Sequence, residues 1–140
     1  MFGTYQHSNL RIEIEASADK ISRALTEPEK LKAWLRPQQI QLSERDRATG
    51  ISWSASGGTA ARLLVGQRFE STLGLVKVGH QVEKLSATGV RFLLSGSVDG
   101  FHEWQWGDGW VQSRLEGVSL LPLNLGQTLS LARLKYYLQQ

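Results

Sequence analysis

Two histidines are the first residues to suggest chemistry. His80 and His102 each lie in a run where one face reads apolar. A strand sends every second side chain to the same face. On that rule His80 sides with Val78 and Val82, and His102 with Trp104 and Trp106. Nearby runs put Phe69 with Leu73, and Val90 with Phe92 and Leu94. If these faces line one interior, both imidazoles lie among aromatic and aliphatic groups, the usual make-up of a small-molecule pocket. There they would orient a guest or exchange a proton with it. The plainer alternative is a pair of core or rim histidines satisfied by their neighbours. Two histidines without a third ligand do not make a zinc site, and Glu103 points away from His102 on the opposite face. No metal and no cofactor is expected. The chain has no Cys, so thiolate catalysis, disulfides and Cys-based zinc sites are ruled out.

Other groups are open to two readings. Trp104, Trp106 and Trp110 flank Gly107-Asp108-Gly109. They would form a flat wall against a ring system, or simply pack across a hairpin. Arg62 and Arg91 are candidate anchors for an acidic group. Parity puts Arg91 outside, opposite Phe92, and Arg62 reads as a surface residue because Arg is rarely buried unpaired. Trp53 lies in a stretch whose structure is not legible. No phosphate loop, dinucleotide fingerprint, metalloprotease helix or EF-hand loop occurs.

These side chains need a scaffold. Leu10 to Glu15 alternate as a half-buried strand. Two short helices follow between Ala18 and Leu35, with Ser17 as N-cap of the first and Thr26-Glu27-Pro28-Glu29 opening the second. Ile40 and Leu42 restore the two-residue period, and 44–50 reads as a strand end and turn. Residues 51–65 resist assignment. Five further strands, Arg68 to Leu73, Lys77 to Leu85, Val90 to Ser97, Phe101 to Trp106 and Trp110 to Leu120, are separated by Gly-containing turns. After Pro122, Asn124 is placed as N-cap of a helix running to Gln139. One face of that helix carries Leu125, Leu129, Ala132 and Tyr136, and the other carries Leu131, Leu134 and Leu138. A meander needs one face covered, and this helix is the only long element able to do it. The expectation is an α+β helix grip over 1–140 as a single domain: a curved antiparallel sheet around a long C-terminal helix.

The same stretches resemble a known family. Ile12-Glu13-Ile14-Glu15-Ala16-Ser17-Ala18-Asp19-Lys20-Ile21, then Thr26-Glu27-Pro28-Glu29-Lys30-Leu31 and Trp34-Leu35, look like the START/polyketide-cyclase (SRPBCC) superfamily, which includes the pollen-allergen fold. Val65-Gly66-Gln67-Arg68-Phe69 resembles its "v-G-x-x-F" strand start, and Leu131 to Leu138 its "L-x-x-L-K-x-x-L" helix. The resemblance spans nearly the whole chain and reports fold, not reaction. It implies a cavity under the C-terminal helix for lipids, polyketides, isoprenoids, steroids or pigments. A chaperone-activator branch often shows "G-G-x-F" where this chain has Gly66-Gln67-Arg68-Phe69, a departure that disfavours that branch.

The functional expectation is binding or carriage of a hydrophobic small molecule. The residues assigned to it are His80, His102, Trp104, Trp106, Phe92, Leu94, Val78, Phe69 and Leu129. The alternatives are a cyclase- or dehydratase-type enzyme with an inward histidine, and a protein-interaction module. For the latter, Leu131, Leu134 and Leu138 would form a homodimer or partner contact unless they pack on the two short helices. With 16 Lys and Arg against 13 Asp and Glu, the charge is only +3 and shows no basic stripe, so nucleic acid is not an expected partner. Met1 to Leu10 is polar and unlike a signal peptide, and no stretch approaches a membrane span. A cytoplasmic location is expected.

Overall fold

The computed structural model describes residues 3–42 and 62–140. The 44–50 turn, residues 51–61 of the unassigned segment, and Trp53 lie outside the described residues. The order is β1 (Thr4–Glu13), α1 (Ala18–Thr26), α2 (Pro28–Trp34), β2 (Gln39–Leu42), β3 (Arg68–Leu73), β4 (Val76–Ser86), β5 (Gly89–Gly96), β6 (Asp99–Gly107), β7 (Trp110–Ser119) and α3 (Leu123–Leu138). The strands form one curved antiparallel sheet in the order β1-β7-β6-β5-β4-β3-β2. The first strand joins at an edge, as expected. Among the described residues three helices cover one face, giving the α+β helix grip.

Local chemistry explains the helix starts. Ser17 caps α1 by accepting from the Lys20 N–H at 3.2 Å. Asp108, from the β6–β7 turn, adds a second acceptor: its Oδ1 takes the Ala18 N–H at 2.7 Å. That turn reverses through Gly109 at φ +83°, a conformation glycine adopts without cost. The Gly107-Asp108-Gly109 segment is thus a clamp between hairpin and helix as well as a turn. Two cap assignments are corrected. Thr26 bonds back to the Ser22 carbonyl at 2.6 Å, leaving Glu27 as the N-cap of α2. Asn124 lies inside α3, with Pro122 at the cap position, and donates to Ser8 Oγ at 2.8 Å.

The C-terminal helix is turned the other way from the expectation. Leu131, Leu134 and Leu138 are buried in the core, at 2%, 0% and 2% exposure. They are therefore not available as a dimer or partner contact. Leu125, Leu129 and Tyr136 face out, at 57%, 46% and 73%. The reason is a polar residue. Gln127 lies on the Leu131 side and is drawn inward, where its Nε2 donates to the carbonyls of Ser113 at 2.8 Å and Ser8 at 3.2 Å. Burying a leucine side chain contributes about 2 kcal/mol, and both stripes offer leucines, so the buried amide bonds separate them.

The helices also share the sheet differently than expected. α3 packs on β1 and β7, while α1 sits over β5 and β6 and α2 reaches β2. The core joins Ile21 and Leu25 of α1, Leu31 and Trp34 of α2, and the α3 leucines to Val82, Val90, Phe92, Trp104, Trp106 and Val111 of the sheet.

Candidate functional site

The strand register gathers the inward residues. Phe69 lies opposite His80, Val82 opposite Phe92, Phe92 opposite His102, and Trp104 opposite Ser113. Phe69 and His80 stack at 4.5 Å with planes 6° apart, and Phe92 meets both edge-on at 5.6 and 5.7 Å. His102 leans on Trp104 at 4.5 Å, and Trp104 meets Trp34 of α2 edge-on at 6.2 Å. These aromatic pairs each contribute about 1 kcal/mol beyond their burial.

Above this face lies a cavity of about 80 Å³. Its floor holds Phe69, Ser71, His80, Phe92, His102 and Trp104, and its roof Leu25, Leu31, Trp34, Leu35, Gln38 and Ser130. The roof is therefore mostly α1 and α2. The expected position under the C-terminal helix is corrected: α3 supplies only Ser130, because it lies over the β1–β7 end. The size is corrected as well. About 80 Å³ holds two or three water-sized groups, well below the roughly 300–1,000 Å³ of drug-sized sites.

Of the nine residues assigned from sequence, Phe69, His80, Phe92, His102 and Trp104 line the cavity. Leu94 is core beside His80, and Val78 is half-buried against that core. Trp106 is buried in the core at 1% exposure, away from the cavity, opposite Val111. Leu129 faces outward with its stripe. Trp110 is not part of a wall with Trp104 and Trp106: it lies on the outer face with the Arg11 guanidinium 4.3 Å above its ring. Arg91 is outside too, pairing with Glu83 at 2.7 Å and covering Phe101 at 3.8 Å. Arg62 is exposed. Sequence reading missed Ser71, Ser113 and Gln127. Ser71 follows Phe69 by two and shares its face, so parity alone would have found it. Gln127 had no signal before α3 was placed on β7.

The two histidines have separate partners. His80 Nε2 meets Ser71 Oγ at 3.0 Å, and its Nδ1 is enclosed without a partner. His102 Nε2 meets Ser113 Oγ at 2.6 Å. Ser113 Oγ also accepts from Gln127 Nε2 at 3.0 Å. The serine oxygen has two lone pairs and one proton, so it can serve the Gln127 amide and the His102 ring together. Both rings are half-buried and line the cavity, and the protein around them strips away much of the solvent. Burial pushes the His80 pKa down to about 4. Burial, with His80 close by, pushes His102 down to about 3. Both are neutral at pH 7. Among the described residues no group of three or more His, Asp or Glu is placed to hold a metal ion, and no helix is long and apolar enough to cross a membrane.

No protein-family model matches the chain, and no curated protein matches it. Solved structures do. Protein CV1439 from Chromobacterium violaceum is 17% identical over 96% of this chain and 97% of its own, with a TM-score of 0.67. The Aha1 dimer from Colwellia psychrerythraea is 20% identical over 95% and 96%, with a TM-score of 0.63. DynU16, a protein in the dynemicin biosynthetic locus, is 15% identical over 96% of this chain and 47% of its own, also with a TM-score of 0.63. At these identities the likeness shows a shared backbone architecture, and it fits the helix-grip type.

Proposed function

We propose that this protein binds a hydrophobic small molecule, part of which enters the cavity between the β3–β6 face and α1–α2. The observation that carries this reading is a cavity lined mainly by aromatic and aliphatic side chains that, among the described residues, has no charged group yet presents two neutral imidazoles. An unpaired charge in such a cavity would be costly to desolvate, whereas an apolar segment would not. A polar group on the guest would meet the imidazoles of His80 and His102, which line the cavity. The volume limits what is enclosed. An apolar cavity of about 150 Å³ admits benzene, so about 80 Å³ takes a short segment rather than a whole lipid or polyketide.

Orientation fits the histidines better than proton transfer. An efficient general base has a pKa near the working pH, and values of about 4 and 3 are far below neutrality. Among the described residues no carboxylate lines the cavity to raise them. The presence of DynU16 in a biosynthetic locus keeps a cyclase-type role as the second reading.

Octan-1-ol is a suitable probe, followed by amide NMR shifts. Saturable shifts should centre on cavity-lining residues. Ser130→Leu fills the space from α3 and should weaken binding about tenfold or more while leaving the fold intact. Equal binding by wild type and Ser130→Leu would place the probe elsewhere and defeat the reading.

A further inference from the structure

We propose that the guest is an anionic amphiphile, its apolar end in the cavity and its acidic head held by Arg36 and Arg133 in the groove between α2 and α3. This rests on the cavity reading above and adds the head group to it. The groove has a volume of about 500 Å³ and is walled by Trp34, Leu129, Tyr136 and Tyr137 together with the two arginines. Its size lies within the range of small-molecule sites. Among the described residues no Asp or Glu is part of its lining, which also includes Gln140.

The two arginines differ from three others on the surface. Arg23, Arg91 and Arg114 each have a carboxylate partner, at 3.0, 2.7 and 3.1 Å. Arg36 and Arg133 have neither an ion pair nor a hydrogen bond with any described residue. Arg36 is exposed and Arg133 half-buried against apolar neighbours. A guanidinium placed this way is suited to bidentate bonding with a carboxylate or phosphate. The charge in the groove therefore calls for an anion, while its walls call for an apolar or aromatic body.

Groove and cavity lie back to back. Trp34 is the one side chain common to both linings. Ala33 faces the groove and Leu35 the cavity on one side; Leu129 faces the groove and Ser130 the cavity on the other. Trp34 is 4% exposed and held by its Nε1 donating to the Ala24 carbonyl at 2.8 Å. A molecule with its head at the arginines would have its tail directed past that indole. This also accounts for an inner cavity that is small and uncharged: only the tail needs to reach it.

The test pairs two probes of equal tail, octanoate and octan-1-ol, titrated by calorimetry at pH 7.5. Octanoate should bind wild type about tenfold more tightly. The Arg36→Gln/Arg133→Gln double variant should erase that advantage and leave octan-1-ol affinity unchanged. Arg36→Gln alone, at an exposed position, should reduce it in the same direction. Arg23→Gln, an exposed arginine outside the groove, should leave it intact. If octan-1-ol binds in the cavity but octanoate binds no better, or keeps its advantage in the double variant, the head-group assignment is wrong and the cavity reading stands. If neither probe binds, the cavity reading fails and this inference with it.

Discussion

His80 and His102 share a residue type, a sheet and a face, yet their surroundings treat them differently. His102 is tied into a network: its Nε2 meets Ser113 Oγ, Gln127 donates to Ser113, and the same amide nitrogen holds the Ser8 and Ser113 carbonyls, while Gln127 Oε1 is buried without a partner among the described residues. Those bonds fasten α3 to β1 and β7. His80 sits under α1 and α2, stacked on Phe69, with one serine partner and one nitrogen unused. Both rings line the cavity and each has one serine partner on Nε2. The difference is that Ser113 links His102 to the bonds that hold α3. Parity locates inward histidines, while the element packed above each one determines which bonds it joins.

The contrast can be broken most forcefully at Gln127. Gln127→Ala removes a fully buried side chain and strands two carbonyls and a serine, so it should cost about 4 kcal/mol. Urea denaturation measures it. The alanine variant behaving like wild type would show that α3 is placed by its leucines alone.

Acid should act on both histidines together. Their folded-state values, about 4 and about 3, lie below the ordinary value of 6.5. Above pH 6.5 folded and unfolded chains both hold neutral rings, and stability is full. Below it the unfolded chain takes up protons that the folded chain refuses. Stability then falls through the window down to about pH 4 for His80 and about pH 3 for His102. Between pH 6.5 and 5 the combined loss should be about 3 kcal/mol. His80→Phe should remove roughly half of that slope. A slope unchanged by His80→Phe and by His102→Phe would place the acid sensitivity elsewhere.

The smallest effects sharpen the comparison further. At pH 8, His102→Phe leaves the Ser113 hydroxyl without its His102 partner and should cost about 2 kcal/mol. His80→Phe likewise takes the partner of the buried Ser71 hydroxyl but also removes an unpartnered buried nitrogen, and should cost less, about 1 kcal/mol. Its larger consequence should be weaker binding of a guest bearing a polar group near the tail. Equal costs for the two variants, measured by thermal melting, would erase the distinction drawn between the histidines.

Much of the scaffold was legible because local patterns are strong. Alternation and Gly turns marked β3 to β7 to within a residue or two, and Ser17 was correctly placed as a cap. Five of nine assigned site residues line the cavity for the same reason. The misses have physical causes. Trp106 and Leu94 have inward parity, but parity does not say how far along a strand the cavity extends. Trp110 lies past the turn, where register reverses its face. Leu129 was assigned inward because an apolar stripe was read as a buried one.

Sequence alone determined the order of elements, the inward face of each central strand, and the absence of cysteine chemistry, since these depend on residue type and spacing. Tertiary structure decided which side of α3 is buried, which helices roof the cavity, how large it is, and that Trp34 stands between it and a groove lined by Arg36 and Arg133. A helix with apolar residues on both sides has no intrinsic preference. Its orientation came from the buried bonds of Gln127 to backbone more than a hundred residues away at Ser8, and no local pattern contains such a contact.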